Sequence, residues 1–412
     1  MRFLLIGIGG VYNYGCEAII RGTERMLHEQ WPDAKVVYAS RRPEDDRARL
    51  KGCNIEIIRR KRVGRYSPRN VLHKLLSIAG ISWYPTTDPP VIANGYDAVL
   101  SIGGDIYTLG PNGSGPRGFM RFGDECERRG VPYVLWGASV GPFSQNPETE
   151  RVFTKHLKNI SLITVRETAT VDYLQTLGVI NNVIPCADPA YVVAPEIMAD
   201  YTSQRKDPTI GINLSPLSVR HTGHSLDESV HTQARTIEGL IQALHGRIVL
   251  IPHVVCDFIE GDDDLRYLRK VKQAIACEYQ GAVTLLNNDT GFVGTKKELM
   301  ECDLVIAARM HCAINALSAC VPTILISYSR KAEGMCQYVY GNSDWVVPLN
   351  EFLPDSISRK VSRLIGQVEE TRGYLAKRIP EIQDDAFRPA KALKDMLEGR
   401  QTCRGKAISS WK

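Results

Sequence analysis

No stretch of the 412-residue sequence approaches the roughly 18 consecutive apolar residues of a membrane-spanning helix, so none is expected. CxxC spacing is missing as well. The eleven cysteines (Cys16, Cys53, Cys126, Cys186, Cys256, Cys277, Cys302, Cys312, Cys320, Cys336 and Cys403) are scattered and odd in number, which argues against a disulfide framework or a zinc ribbon. They read as mostly buried small hydrophobes in a reducing cytosol. There is no repeat, no low-complexity tract and no cluster with metal-ligand spacing, so no metal is expected. Neither sign of charge is in large excess. Lys+Arg 51 against Asp+Glu 46 leaves +5, too little for a dedicated nucleic-acid binder. Residues 1–7 are apolar but shorter than a signal-peptide core, and no small-residue cleavage site follows, so a cytoplasmic protein is expected.

What is present is the composition of a globular chain, 43% hydrophobic and 24% charged. At about 150 residues per domain, the length predicts two or three domains. Short apolar runs alternate with longer amphipathic stretches, the pattern of parallel sheets with crossover helices. Strands are predicted at 3–8, 35–39, 55–58, 98–102, 133–135, 162–165 and 182–184, with helices at 15–29, 70–79, 118–129, 147–157 and 167–177. The pattern then restarts. Strands follow at 209–213, 248–251, 283–285, 304–307 and 323–326, and helices at 230–244, 263–278, 295–301, 312–319 and 331–340. The polar segment 194–208, with Pro195 and Pro208 near its ends, reads as a linker. The domains are therefore expected at 1–193 and 209–353, followed by a charged helical tail at 354–412 able to fold back over the first. The fold class is α/β: two doubly wound Rossmann-like domains facing a cleft, with ligands beyond the carboxyl ends of the strands.

Several predicted strand ends carry chemistry. Gly7-Ile8-Gly9-Gly10 follows the first strand, yet Tyr12 stands where a dinucleotide loop needs its third glycine. The second strand ends in Ala39-Ser40, with no acid for a ribose, so nicotinamide dinucleotides are disfavoured. Asn13, Gly15 and Glu17 open the first helix, a place suited to an anion and explained equally well by helix capping. Gly137-Ala138-Ser139-Val140-Gly141 has nucleophile-elbow spacing, but Pro142 follows and no helix pattern begins before Asn146-Pro147. A tight turn carrying Ser139 into the cleft is the better reading. Gly103-Gly104-Asp105 places a carboxylate at the end of a central strand, as a general base or as a cap. Arg166-Glu167 and Asp188-Pro189 also follow strands, as site residues or as ion pairs and caps.

The densest signal runs from Val305 to Ala313, where a buried strand ends and Arg309 and His311 open a helix. The planar fork of Arg309 suits phosphate or carboxylate, and a helix N-terminus favours anions. His311 can give or take a proton near neutral pH. Tyr328-Ser329-Arg330-Lys331 adds two cations after the next strand, and His253 sits at another strand end. The second domain is thus expected to hold a small, highly charged anion. Elsewhere, Glu56 and Asp88 bracket 31 residues without an acid. Arg59, Arg60, Lys61, Arg62, Arg65, Arg69 and Lys74 lie there, with Leu72, Leu75, Leu76, Ile78, Ile81, Trp83 and Tyr84. Residues 59–84 read either as a surface for anionic lipid or a pyrophosphate-linked carrier, or as a solvated loop before a core helix.

Taken together, the motifs resemble the polysaccharide pyruvyl transferase family over roughly residues 1–340. The resemblance rests on Asn13-Tyr14-Gly15-Cys16-Glu17-Ala18, Gly103-Gly104-Asp105, Ser139-Val140-Gly141-Pro142, Val165-Arg166-Glu167, Asp188-Pro189-Ala190, Arg309-Met310-His311, and Pro322 through Tyr328 to Lys331. Asp105 stands where members often carry a third glycine. The resemblance implies a glycosyltransferase-B-like fold and transfer of pyruvate from phosphoenolpyruvate to a sugar as a ketal. It implies His311 as general acid, Arg309 and Lys331 as holders of the anionic groups, and Asp105 or Glu17 as base. Arg166, His253, Asn13, Gly103, Gly104 and Ser139 would complete the substrate site. Phosphoenolpyruvate is then the donor, a carrier-linked or polymeric saccharide the acceptor, and no cofactor is needed. The work would take place at the inner face of the membrane. Two other readings stand beside it: a nucleotide-sugar glycosyltransferase of the same fold, and a non-catalytic anion-binding protein.

Overall fold

The computed structural model describes residues 1–60, 68–78, 86–109, 115–193, 207–220, 223–259, 261–327 and 330–399. Seven parallel strands form the first sheet: β1 (Arg2–Ile6), β2 (Lys35–Ser40), β3 (Ile55–Arg59), β4 (Ala98–Ile102), β5 (Tyr133–Ala138), β6 (Leu162–Val165) and β7 (Val183–Pro185). Their order is β3-β2-β1-β4-β5-β6-β7. Six more form the second: β8 (Thr209–Asn213), β9 (Arg247–Leu250), β10 (Val283–Leu285), β11 (Leu304–Ala307), β12 (Thr323–Ser327) and β13 (Val346–Pro348). These are also parallel, in the order β10-β9-β8-β11-β12-β13. Every residue of β4 and of β8 is buried, as a sheet covered by helices on both faces requires. Each sheet reverses its direction of growth once, between β1 and β4 and between β8 and β11, and at such points crevices open beyond the strand ends. The predicted α/β doubly wound architecture is what the chain forms.

The helices around the first sheet are α1 (Tyr14–Gln30), α2 (Pro43–Arg49), α3 (Pro68–Ile78), α4 (Arg117–Arg128), α5 (Pro147–Asn159) and α6 (Thr168–Thr176). Those of the second half are α7 (Pro216–Val219), α8 (Leu226–Leu244), α9 (Asp264–Ala274), α10 (Gly291–Met300), α11 (Met310–Leu317) and α12 (Arg330–Tyr340). The expected helical tail contains α13 (Pro354–Ile365) and α14 (Val368–Gly399). None of the described helices is long and apolar enough to cross a membrane. Helix α8 starts four residues before its predicted position because Ser225 and Glu228 form a capping box. Ser225 Oγ accepts the Glu228 N–H, and Glu228 accepts the Ser225 N–H at 2.8 Å. Strand β13 and helices α2 and α7 were not predicted; the two helices, seven and four residues long, are too short for a periodic signal.

Two compact units emerge. One comprises Met1–Gly10, Ile19–Pro189 and the chain from Asp385 onward; the other comprises Val11–Ala18 and Ala190–Asp384. The expected boundary after residue 193 thus falls at 189, and the opening turn of α1 groups with the second half of the sequence. Most of the expected linker, residues 194–206, lies outside the described residues. Ten cysteines are described and all are free, six of them buried.

The basic stretch is not uniformly a surface. Arg60 Nε and Nη2 each lie 2.6 Å from an oxygen of Asp88, and both side chains are buried. This bidentate pair takes Arg60 out of any lipid-facing charge, and Arg59 is held by Glu44 at 2.6 Å. Removing one partner of a buried pair strands the other charge away from water. Arg60→Met should therefore lower the unfolding free energy in urea by about 3–5 kcal/mol, and adding Asp88→Leu should recover most of that loss.

Candidate active site

Arg309 occupies the N-cap position between β11 and α11. Its backbone N–H donates to Asn213 Oδ1 at the end of β8, 2.9 Å away. Asn213 Nδ2 donates in turn to the carbonyl of Ile251 beyond β9, also at 2.9 Å. One amide side chain thereby joins three strand ends at the switch point of the second sheet. The Arg309 guanidinium turns onto two acids: Nη2 lies 2.7 Å from Asp262 Oδ1 and 2.9 Å from Asp264 Oδ1, and Nε lies 3.2 Å from Asp264 Oδ1. Asp264 Oδ2 also accepts the N–H groups of His253 and Val254 at 3.1 Å. Burial works against the guanidinium charge, but Asp264 and then Asp262 outweigh it and hold the Arg309 pKa above its ordinary value. Burial raises the Asp264 carboxyl, and Arg309 opposes that rise. Arg309 is expected from the sequence to grip an anionic substrate, and the structure shows which protein groups it meets. Its fork is already engaged on carboxylates of its own chain.

The segment from Asn13 to Glu17 serves the same corner. Asn13 Oδ1 accepts the Gly15 N–H at 2.9 Å and its carbonyl accepts from Cys16 and Glu17, so Asn13 is the cap of α1. Tyr14 donates its N–H to the His253 carbonyl (3.0 Å) and its hydroxyl to Asp289 Oδ1 (2.7 Å). A Cβ on Gly15 would sit 2.5 Å from Cγ and Nδ1 of His311, so only glycine admits the imidazole there. Glu17 is buried, and its Oε2 accepts the Phe292 N–H at 2.9 Å in the first turn of α10. A carboxylate on otherwise unsatisfied helix donators is a favourable cap, and α10 accordingly begins at Gly291 rather than at the predicted residue 295. Asn13 and Glu17, expected as substrate ligand and base or else as capping groups, make the capping contacts here.

His253 is corrected. It is 1% exposed, its ring 5.3 Å from that of Tyr14 and 5.7 Å from that of Phe292. Burial first, then the charges of His311 and Arg309, push its pKa well below the ordinary 6.5. It is neutral at pH 7 and offers no positive charge to an anion. His311, by contrast, is half-buried as the second residue of α11, beyond the carboxyl edge of the sheet. Lys331, half-buried, is the second residue of α12; Tyr328 and Ser329 lie outside the described residues. The sequence reading gave no role to Asn213, Asp262, Asp264 or Asp289, and quoted Tyr14 only as part of a motif. The run Asp262-Asp263-Asp264 at the start of a predicted helix was the visible signal.

A second cluster lies in the first unit. Gly103, Gly104 and Asp105 follow β4, Ser139 follows β5 and Arg166 follows β6. Ser139 donates its N–H to the Gly104 carbonyl at 2.7 Å. A Cβ on Gly104 would meet Arg166 Nη2 at 1.8 Å, so the guanidinium lies flat against that glycine. Arg166 Nη1 is 2.5 Å from Asp188 Oδ2, while Nη2 is 3.7 Å from Asp105 Oδ1. Burial lowers the Arg166 pKa, but Asp188 and Asp105 more than compensate. Arg166 and Asp188 are thus an ion pair, the plainer of their two sequence readings, and Glu167 occupies the N-cap position of α6. Asp105 remains 59% exposed. Helix α5 begins at Pro147, too far from Ser139 for a nucleophile elbow. No group of three or more His, Cys, Asp or Glu among the described residues is arranged to hold a metal ion.

Two doubly wound parallel sheets, each with charged residues gathered at its carboxyl edge, define an α/β protein of glycosyltransferase-B-like architecture. Anabaena HepE, solved with UDP and glucose, superposes with a TM-score of 0.58 at 14% identity, covering 98% of this chain and 99% of that one. A UDP-GlcNAc 2-epimerase from Neisseria meningitidis bound to UDP-GlcNAc gives 0.54 at 12% identity, covering 98% and 100%. At such identities the likeness speaks for the fold alone. The sequence profile of the polysaccharide pyruvyl transferase family matches residues 13–330, and the chain belongs to that family. The amylovoran biosynthesis protein AmsJ of Erwinia amylovora is 22% identical over 411 residues, with 92% of this chain and 96% of that protein covered.

Two outcomes follow from this geometry. Gly15→Ala should destabilise the protein by about 1–3 kcal/mol through overpacking, despite alanine's better helix propensity. In a His311→Ala background most of that penalty should vanish, a coupling readable from urea unfolding of the four variants. The depressed pKa of His253 means that the unfolded chain protonates first, so its contribution to stability is whole above pH 6.5 and is lost as pH falls. Between pH 7 and pH 5.5 the wild type should lose about 1 kcal/mol more than His253→Gln, measured by unfolding at both values.

Proposed function

We propose that the protein transfers the pyruvyl group of phosphoenolpyruvate to a saccharide as a cyclic ketal. The observation that carries this reading is the family match across residues 13–330, together with His311 at the α11 N-terminus beyond the sheet's carboxyl edge. His311 donates a proton to the methylene carbon of the enol phosphate, which leaves C2 electrophilic. One acceptor hydroxyl then adds to C2. A second displaces phosphate and closes the ring. Lys331 and the N-terminal end of α11 hold the anionic groups, now that Arg309 and His253 are otherwise accounted for. A carboxylate, Asp105 or Glu17, takes the hydroxyl proton as general base. No step calls for a cofactor. The acceptor is a carrier-linked or polymeric saccharide made at the cytoplasmic face, a reading supported by the relative AmsJ, whose name places it in amylovoran biosynthesis.

His311→Asn should cut phosphate release from phosphoenolpyruvate by roughly 10²–10⁴-fold, the usual contribution of a general acid, with the melting temperature unchanged. A variant within about twofold of wild type would remove His311 from the chemistry. Thermal stabilisation by phosphoenolpyruvate supports the donor assignment, whereas stabilisation by a nucleoside diphosphate sugar alone would favour glycosyl transfer instead.

A further inference from the structure

Helix α3 is amphipathic in the wrong direction for a helix packed only on its own fold. Val71, Leu72, Leu75 and Ile78 are 50, 46, 60 and 80% exposed. These are four of the eleven exposed large hydrophobics among the described residues, all within eight positions of one helix. At about 100° per residue, positions 71, 75 and 78 fall within some 60° of one another and position 72 lies beside them. They form one continuous stripe, with Leu76 half-buried at its far edge and exposed Lys74 beside its near edge. A helix of a soluble domain turns such a stripe to its core, and an exposed one marks a surface that something else covers.

The charge around the stripe identifies what covers it. Residues 57–87 contain no acid. Arg59 and Arg60 are spoken for by Glu44 and Asp88, and the acid-free sequence still adds Lys61, Arg62, Arg65, Arg69 and Lys74 around the helix. A second copy of the chain would bring a segment of the same net positive charge against this one, and repulsion would oppose the pairing. Acidic headgroups above acyl chains meet both needs at once: the cations find phosphates while the apolar stripe finds hydrocarbon.

We propose that α3 is an interfacial helix that lies in the plane of an anionic membrane surface. Val71, Leu72, Leu75 and Ile78 insert at the boundary of headgroups and acyl chains, and exposed Lys74 beside the stripe, within an acid-free basic sequence, meets the lipid phosphates. The assignment is independent of the reaction proposed above. It is tested by sedimenting the full chain with vesicles of equal parts phosphatidylglycerol and phosphatidylcholine, and with vesicles of phosphatidylcholine alone. Binding is expected only to the anionic vesicles and should weaken as salt rises. Leu75→Asp/Ile78→Asp should reduce partitioning by about tenfold or more. Because both sites are exposed, its melting temperature should match the wild type. Lys74→Glu leaves the stripe whole and should weaken binding by a smaller factor. Equal binding to both vesicle types, or unchanged binding by the double variant, would overturn the proposal. So would a concentration-dependent dimer that the double variant abolishes, since that would assign the stripe to a second copy.

Discussion

The second unit is organised around one buried charge that has to be satisfied. Arg309 sits where β11 ends, 8% exposed, and its guanidinium reaches water poorly. Asp264, fully buried, and Asp262 supply the counter-charge, while Asp264 also accepts two backbone N–H groups after β9. Stranding either charge of such a pair costs about 3–5 kcal/mol, a large part of the 5–15 kcal/mol that keeps a typical domain folded. The pair therefore fixes distances rather than merely adding stability, since a well-packed apolar substitute could stabilise as well. Because Arg309 is the N-cap residue of α11, its ion pairs anchor the first turn of that helix, and His311 lies two residues along.

The same device recurs at the first sheet, where Arg166 after β6 pairs with buried Asp188 and lies flat on Gly104 after β4. In both units an arginine at a strand end points back into its own fold. The segment from Asn13 to Glu17 extends this logic. Its cap, its tyrosine hydroxyl, its missing Cβ and its buried carboxylate each meet a group from Ala190–Asp384 or the turn itself. What looks in the sequence like a ligand loop at the head of a helix is a bracket that shapes the space beside His311.

Much of the architecture was legible because parallel strands covered on both faces read as nearly continuous apolar runs, as Leu304–Ala307 does and as Ala98–Ile102 does but for Ser101. The strand ends were equally legible, and with them the places where charged residues gather. Partners were not. An arginine two residues past a strand reads the same whether its fork faces solvent or an aspartate 45 residues earlier in the chain, as in Arg309 and Asp264. Glu17 meets Phe292 across 275 positions, and no local spacing encodes that contact. His253 misled for a related reason: its ionisation is set by burial, which a single strand-end position does not reveal. A local signal did hold where both partners are near in sequence, as in the Asn13 cap. The capping box of Ser225 and Glu228 was equally local in the sequence but went unread, which is why α8 begins earlier than expected.

Assigning structural partners to Arg309, Glu17 and His253 narrows the chemistry instead of emptying the site. His253, its pKa pushed down chiefly by burial, adds no positive charge of its own beside the site. An ion-paired Arg309 contributes rigidity at the strand end, and its positive charge is largely balanced by Asp262 and Asp264. Under the proposed reaction, the imidazole then acts from a fixed position against an anion held by a helix N-terminus and Lys331, not by a cage of free arginines. Proton transfer depends steeply on donor geometry, and a rigid, charge-balanced wall is the arrangement that keeps that geometry constant while the substrate changes charge.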